Sequence, residues 1–404
     1  MMRHLQAFGM VLRSDFPDSA APTVFSVIRL ACVIPTLDQS GAERQLTLLA
    51  GGLPRDQYEP HVIALNRGGR YADVLREQGI PVHVLGKRFR FDPLTWLRLR
   101  SLLNTIRPHI VQSYLFAANS YVRLPGIRPA DSRIIVSERC VDSWKSGWQK
   151  SLDRQLARRM DMMTANSQSV ADFYRETIGV DERRITVIPN GMPSVETGEG
   201  GRLHDELGLP KECRIVGFVG RLAPQKNLRD LVWAFHLFKQ AATGPVALVL
   251  IGDGPQRDSL SQFLTDLGTR DLVHFMGHRE DAIELMKDFS VFCLPSAFEG
   301  MSNSLMEAMA CGIPCVVSDI PPNKELVQHE QTGLVFPVGQ APDLARSLLR
   351  CLDEEGSGRR LGQSARELIE RDYSVASLIE RHHHLYQQLL AGDSPSAATG
   401  TENG

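Results

Sequence analysis

The sequence predicts an α/β protein made of two doubly wound, parallel-sheet halves in tandem. Short Val- and Ile-rich runs alternate with helix-like stretches, the pattern of a parallel sheet covered on both faces. A polar, Gly-rich break over 192–212, with GEGG at 198–201, interrupts that alternation, which then restarts. The chain has 404 residues, which at roughly 150 per domain is room for two or three domains. In such sheets ligands bind beyond the carboxyl ends of the strands, so the predicted site is the cleft where the two halves face each other.

The first 25 residues lack a continuous apolar region and a small-residue cleavage site, and read as a loose leader rather than a secretory signal. The first half, 26–191, opens with the strand VIRLACVIP (27–35) and the helix-like AERQLTLLAGGL. HVIAL (61–65), a helix around Tyr71–Gln78, VHVL (82–85), a helix around Leu94–Ile106, HIVQS (109–113) and RIIVS (133–137) follow. A long helix is expected through Asp142–Arg159, and the strand RITVIP ends the half at Asn190-Gly191. The second half, 213–372, alternates RIVGFVG, VALVLIG, VHFMG, SVFCLP, PCVVSD and GLVFP with helices. A last helix within 373–391 is expected to return to the first half, before a disordered tail over 392–404. His382, His383 and His384 are consecutive, so they point to different helix faces and read as surface residues rather than a metal site.

Hydrophobic residues make up 43% and charged residues 23% of the chain, which excludes a largely disordered or disulfide-stapled chain. No apolar run approaches the ~18–20 residues of a membrane span. Seven cysteines are an odd number; Cys32, Cys213 and Cys293 lie in strand-like runs, and Cys311 and Cys315 lack zinc-site spacing, so a reducing, cytoplasmic setting without a metal is expected. Charge is divided unevenly. Residues 1–190 carry 26 Lys and Arg against 18 Asp and Glu, a net of +8, and the remainder nets −10. An anionic partner for the first half follows, and in the absence of any nucleic-acid motif an anionic membrane surface or a phosphorylated acceptor fits. Two stretches, 87–100 and 144–159, each net +4 and interleave aromatics with cations; in the second, Trp144, Trp148 and Leu152 form a helical row that either packs inside or faces a membrane.

No G-x-G-x-x-G opens a helix after a strand and no P-loop occurs, which weighs against dinucleotide and P-loop enzymes. Three stretches of the second half carry candidate chemistry. In GRLAPQKNL, Arg221 and Lys226 follow a strand's carboxyl end on one loop, placed to hold a diphosphate or simply exposed. In LIGDGP, Asp253 lies in a tight turn. In LPSAFEGMSNSLMEAMACGIP, Glu299 leaves a strand and Glu307 lies eight residues on in a helix that Gly312 ends. The backbone N–H groups of Ser302–Leu305 between them form an anion-binding helix start. Read alone, the pair is better taken as Glu307 stabilising the helix's first turn and Glu299 as an exposed loop acid.

Taken in order, SGAERQL (40–46), ANSQSV (165–170), VIPNGM (187–192), FVGRLAPQKNL (218–228), LIGDGP (250–255), FMGHRED (275–281), FEGMSNSLMEAMACGIPCVVSD (298–319) and QTGLVFP (331–337) resemble the retaining glycosyltransferases of family 4, which have the GT-B fold. The resemblance covers roughly 27–390. It implies that Arg221 and Lys226 hold a donor diphosphate, that Glu299 contacts the donor sugar and that Glu307 binds the ribose. Asn303, Ser304, Leu305, Gly252, Asp253 and the stretch around His278 and Arg279 would complete the donor side. Gly41 and Ala42, opening the first helix, would approach phosphate or acceptor. On the acceptor side Glu138, in VSERC at a strand end, is read from its position as the remaining cleft acid or, equally, as an ion-pair partner of Arg139 or a neighbour, with Asn119 beside it. One departure stands out: where many relatives carry a His in the loop after the HIVQS strand, this chain has Gln112, Tyr114 and Ala117. The implied reaction moves a hexose or N-acetylhexosamine from a UDP- or GDP-sugar to a hydroxyl of a glycan, a lipid-linked one included, in cell-surface polysaccharide synthesis. It implies no metal and a cytoplasmic protein, peripheral on the inner face of the membrane. A non-catalytic scaffold of this fold and a nucleotide-sugar epimerase remain as alternatives.

Overall fold

The computed structural model describes residues 27–392 apart from 39, 142–144, 197, 199 and 355. Seven parallel strands form the first sheet: β1 (Ile28–Thr36), β2 (Tyr58–Arg67), β3 (Val82–Val84), β4 (Ile110–Tyr114), β5 (Arg133–Glu138), β6 (Met162–Ala165) and β7 (Ile185–Val187). Six form the second: β8 (Arg214–Val219), β9 (Val246–Ile251), β10 (Val273–Gly277), β11 (Val291–Leu294), β12 (Cys315–Ser318) and β13 (Leu334–Phe336). The strand orders are β3-β2-β1-β4-β5-β6-β7 and β10-β9-β8-β11-β12-β13. Both halves therefore reverse direction once, between β1 and β4 (Leu30 opposite Ile110) and between β8 and β11 (Val216 opposite Val291). At such a point successive loops leave on opposite faces and open a crevice at the carboxyl ends.

The strands form because helices cover them on both faces, so they read as unbroken apolar runs. All six residues of VALVLI in β9 are buried. The helix Val375–Ala391 packs into the first sheet's core through Leu378, Ile379, Leu385 and Tyr386, so the chain crosses back from the second half to the first.

Four sequence expectations change. The break over 192–212 contains a helix, Arg202–Leu207, docked through the fully buried Leu203; Asp288 accepts the Leu203 N–H at 2.7 Å. The helix expected over 142–159 runs only Gly147–Leu156, closed by a 3₁₀ turn at Ala157–Arg159; Trp144 lies outside the described residues, and Trp148 is exposed. His382 is buried, unlike a surface residue, because its phase on the last helix turns it toward β4: Nδ1 meets the Leu378 carbonyl oxygen at 2.9 Å and Nε2 lies 3.4 Å from Gln112 Nε2. Tyr114 is a buried strand residue rather than a loop position, and Gln112 is buried in the strand where it was expected. Gln112 donates to Ser137 Oγ at 2.8 Å and accepts from Tyr386 Oη. The leader expected over 1–25, and the tail expected over 392–404 beyond its first residue, lie outside the described residues. Among the described residues no helix is long and apolar enough to cross a membrane.

Candidate active site

The donor-side candidates converge where the second sheet reverses. β8 ends at Val219 and releases Arg221, which is exposed and pairs with no carboxylate among the described residues. The chain then makes a 3₁₀ turn, Pro224–Lys226, which points Lys226 at the loop after β11, where Lys226 Nζ forms an ion pair with Glu299. Glu299 is buried to 7% exposure, a state a carboxylate tolerates only when satisfied. Besides Lys226, Ser296 Oγ donates to it at 2.6 Å and Gln225 Nε2 at 3.3 Å. Glu299 is thus a held acid in the cleft wall, not an exposed loop acid.

The helix Asn303–Ala310 starts beside it. Its N-cap Ser302 accepts the Leu305 N–H at 3.4 Å, so that predicted donor is already used, and Leu305 itself is core. Asn303 and Ser304 occupy the helix's open end, where unpaired N–H groups and the dipole favour an anion. One turn on, Glu307 is ion-paired with Arg44 of the first half. The side chains of two more predicted residues have partners of their own. Asp253 caps its own turn, accepting the Gly254 N–H at 2.8 Å, next to Gly252, whose N–H donates to the Gly277 carbonyl at 2.7 Å. Arg279 bridges Glu206 and Asp281, which raises its own pKa and holds the Asp281 carboxyl down at about 2; its side chain clamps the Arg202–Leu207 helix and leaves its main chain as the part that faces a ligand in the resemblance.

From the first half, the helix Gly41–Gly52 presents its N-terminus to that of Asn303–Ala310. Glu43 secures it by accepting the Ser40 N–H at 2.6 Å, and Ala42 lies buried in its first turn. Gln45 then grips the strand exit after β7: Gln45 Nε2 donates to the Gly191 carbonyl at 2.9 Å while the Gly191 N–H donates back at 2.8 Å. Asn303 Oδ1 accepts from Asn190 Nδ2 at 2.9 Å and from Gln45 Nε2 at 3.2 Å.

On the acceptor side, Glu138 ends β5 and is buried. It accepts from Asn119 Nδ2 at 2.9 Å, and Asn119 also donates to the Ser137 carbonyl at 3.3 Å. Arg139 donates to Asn190 Oδ1, and burial lowers its pKa to about 10. The next residues touch the donor loop directly: Cys140 pairs with Gly300, and the Val141 N–H points to the Glu299 carbonyl at 3.5 Å. A Cβ at Gly300 would lie 2.1 Å from the Arg139 carbonyl oxygen, so this approach needs glycine. Leu115, immediately after β4, is held in the left-handed region (φ 67°), which a branched side chain disfavours. The ANSQSV stretch forms another bridge: Glu325 of the second half accepts the N–H groups of Gln168 and Ser169 at 2.8 and 2.9 Å.

Arg44, Gln45, Arg139 and Asn190 are therefore site residues that sequence reasoning left without a role. All four lay inside quoted motifs or beside a named residue, but their partners are 51 to 263 residues away along the chain. The assembled cleft brings cations, two buried carboxylates and two helix N-termini to one place. Such a set can hold a diphosphate and a hydroxylated ring together.

Two family models match the chain: glycosyltransferase family 4 over residues 39–194 and glycosyl transferases group 1 over 201–368. An Escherichia coli protein named UDP-Gal:alpha-D-GlcNAc-diphosphoundecaprenol alpha-1,3-galactosyltransferase is 29% identical over 220 residues, 52% of this chain and 56% of that protein. N-acetyl-alpha-D-glucosaminyl L-malate synthase of Bacillus anthracis is 28% identical over 192 residues, 48% of this chain and 50% of that protein. The chain thus spans about half the length of these relatives. A crystal structure of HepE from Anabaena in complex with UDP and glucose superposes with a TM-score of 0.77 at 22% identity, covering 89% of this chain and 99% of that one. Sucrose-phosphate synthase from Thermosynechococcus elongatus gives 0.75 at 16% identity, covering 91% and 100%. These are GT-B structures, and the present fold is of that kind.

Proposed function

The chain belongs to the glycosyltransferases of family 4 and group 1, and from that premise we propose that it is a retaining glycosyltransferase. It moves a hexose or N-acetylhexosamine from a UDP-sugar to a hydroxyl of a glycan, with a lipid-linked glycan at the inner membrane face as the acceptor. UDP is preferred over GDP because the relatives and structures that name a nucleotide name UDP. The observation that carries the reading is the ion pair of Lys226 with Glu299 ahead of the Asn303 helix start at the reversal of the second sheet, with Arg221 on the Lys226 loop.

In this reading Arg221 and Lys226 hold the diphosphate, Glu307 accepts ribose hydroxyls, and Glu299 orients the sugar with Lys226 as its counter-ion. The bond from the anomeric carbon to the diphosphate breaks, its electrons going to the leaving phosphate oxygen. The acceptor hydroxyl then attacks from the same face and passes its proton to that oxygen. The chain's contribution is electrostatic, two cations and two helix N-termini aimed where charge develops, and it uses no metal.

The test is a thermal-shift panel of UDP, GDP and other nucleotides, followed by donor turnover with and without a glycan acceptor. Stabilisation by UDP, acceptor-dependent transfer that survives EDTA, and a product of retained anomeric configuration by early-time NMR are expected. Turnover of the donor to an isomer without acceptor would make the protein an epimerase. An inverted product, or no nucleotide binding, would overturn the proposal.

A further inference from the structure

The loop after β3 and the outer face of the helix Pro93–Ile106 leave Phe89 69%, Phe91 66%, Leu94 59% and Leu97 52% exposed. Nine large apolar side chains are exposed among the described residues; four are these and a fifth, Trp148, joins them, with the Arg90 guanidinium stacked 4.7 Å above its ring. Single exposed apolar residues need no explanation, but four in one short stretch of chain, with a fifth tied to it through Arg90, do.

Cations surround the group. Arg88, Arg90, Arg98 and Arg100 are exposed, and none forms an ion pair with a carboxylate among the described residues. The one local acid, Asp92, is buried as the helix N-cap: it accepts the Leu94 and Thr95 N–H groups at 3.0 and 3.3 Å and the Arg88 N–H at 3.2 Å. Its charge is spent inward, so the face presents uncompensated positive charge around protruding rings.

The face also leads to the cleft. The Trp148 ring meets Phe116 edge-on at 6.0 Å, and Phe116 follows Leu115 at the carboxyl end of β4, where the first sheet reverses.

We propose that this face docks on the anionic surface of a lipid bilayer, with Phe89 and Phe91 entering the headgroup layer and the arginines pairing with lipid phosphates. Apolar insertion and basic charge together give reversible attachment without a spanning helix. The proposal deepens the transferase reading by presenting the cleft mouth to a lipid-linked acceptor, but its test does not depend on turnover.

The full chain is sedimented with vesicles of phosphatidylglycerol mixed with phosphatidylcholine, at low and high salt, with pure phosphatidylcholine vesicles as control. Binding is expected only to anionic vesicles, and weaker at high salt. Phe89→Ser with Phe91→Ser, and separately Arg88→Glu with Arg90→Glu, should each lower partition by about tenfold or more, with unchanged melting temperature and unchanged stabilisation by UDP. Wild type that stays in the supernatant, or variants that sediment like wild type, would overturn the proposal. So would capture by soluble polyglutamate without vesicle binding, which would assign the face to an acidic protein partner. A chain that sediments but ignores UDP would sink the transferase reading and leave this one standing.

Discussion

Arg44, on the first helix of the first half, forms an ion pair with Glu307, on the second turn after the donor-side helix start, although the two are 263 residues apart. Their side chains are only 15% and 11% exposed, and burial lowers the Arg44 pKa. The carboxylate to which the proposed function gives the ribose is thus positioned by the opposite half, so in that proposal closure of the cleft and the shape of the nucleotide site are linked.

Breaking a buried pair from one side leaves an uncompensated charge and costs ~3–5 kcal/mol, whereas removing both partners costs less. Arg44→Ala should therefore lower the melting temperature more than Arg44→Ala with Glu307→Ala. Calorimetry with UDP should show weakened binding in both, because each disturbs the ribose partner. Additive losses in the double variant would show that the pair does not couple the halves.

Arg221 and Lys226 should separate in a second experiment. Each loses a charge-assisted bond to a diphosphate, worth ~1.5–3 kcal/mol or roughly 10- to 150-fold in turnover. Arg221 is exposed and unpaired with any carboxylate among the described residues, so Arg221→Ala should cut turnover at least about tenfold without moving the melting temperature. Lys226→Ala should cut turnover and also lower the melting temperature, because it strips the buried Glu299 of its counter-ion. Normal turnover in both variants would remove them from the donor site.

The architecture was legible because parallel strands covered on both faces leave an unmistakable trace, as VALVLI does. The residues assigned to the donor side stood out because Arg221, Lys226, Glu299 and Glu307 lie in two short continuous stretches, and the structure pairs Lys226 with Glu299. The long-range contacts were not. Arg44 with Glu307 across the two halves, and Gln45 with Gly191 and Arg139 with Asn190 within the first, depend on tertiary packing, and periodicity says nothing about that. Helix phase was the other gap: three consecutive histidines look alike until the last helix's packing on β4 selects His382 as the buried one.

Gly41 offers a test of how closely the two helix starts must approach. A Cβ there would lie 2.3 Å from Asn303 Nδ2, and that amide is fixed by Asn190 and Gln45. Gly41→Ala should therefore spread the two N-termini and depress transfer by about tenfold or more, in line with the sensitivity of catalysis to small misplacements. Adding Asn303→Ala removes the obstructing atom and should restore part of the loss. A double variant worse than Gly41→Ala alone would show that Asn303 contributes more than shape.

The last expectation concerns pH. Burial holds the His382 imidazole neutral, with a folded pKa of about 4 against the ordinary 6.5, and the nearby Arg139 charge pushes in the same direction. In the unfolded chain the ring takes up a proton as pH falls through 6.5, which the folded ring refuses until about 4. The unfolded state therefore binds more protons across that window, so stability is complete above 6.5 and declines on acidification, by a ceiling of ~3 kcal/mol. His382→Gln cannot titrate. It should melt lower at neutral pH, having lost the Leu378 contact and packing against Tyr386, yet fall less steeply between about pH 7 and about pH 5. Melting curves across that range would decide it: parallel slopes in wild type and variant would mean that the His382 ring titrates alike in the folded and unfolded chain, or that the last helix leaves the core before the ring titrates.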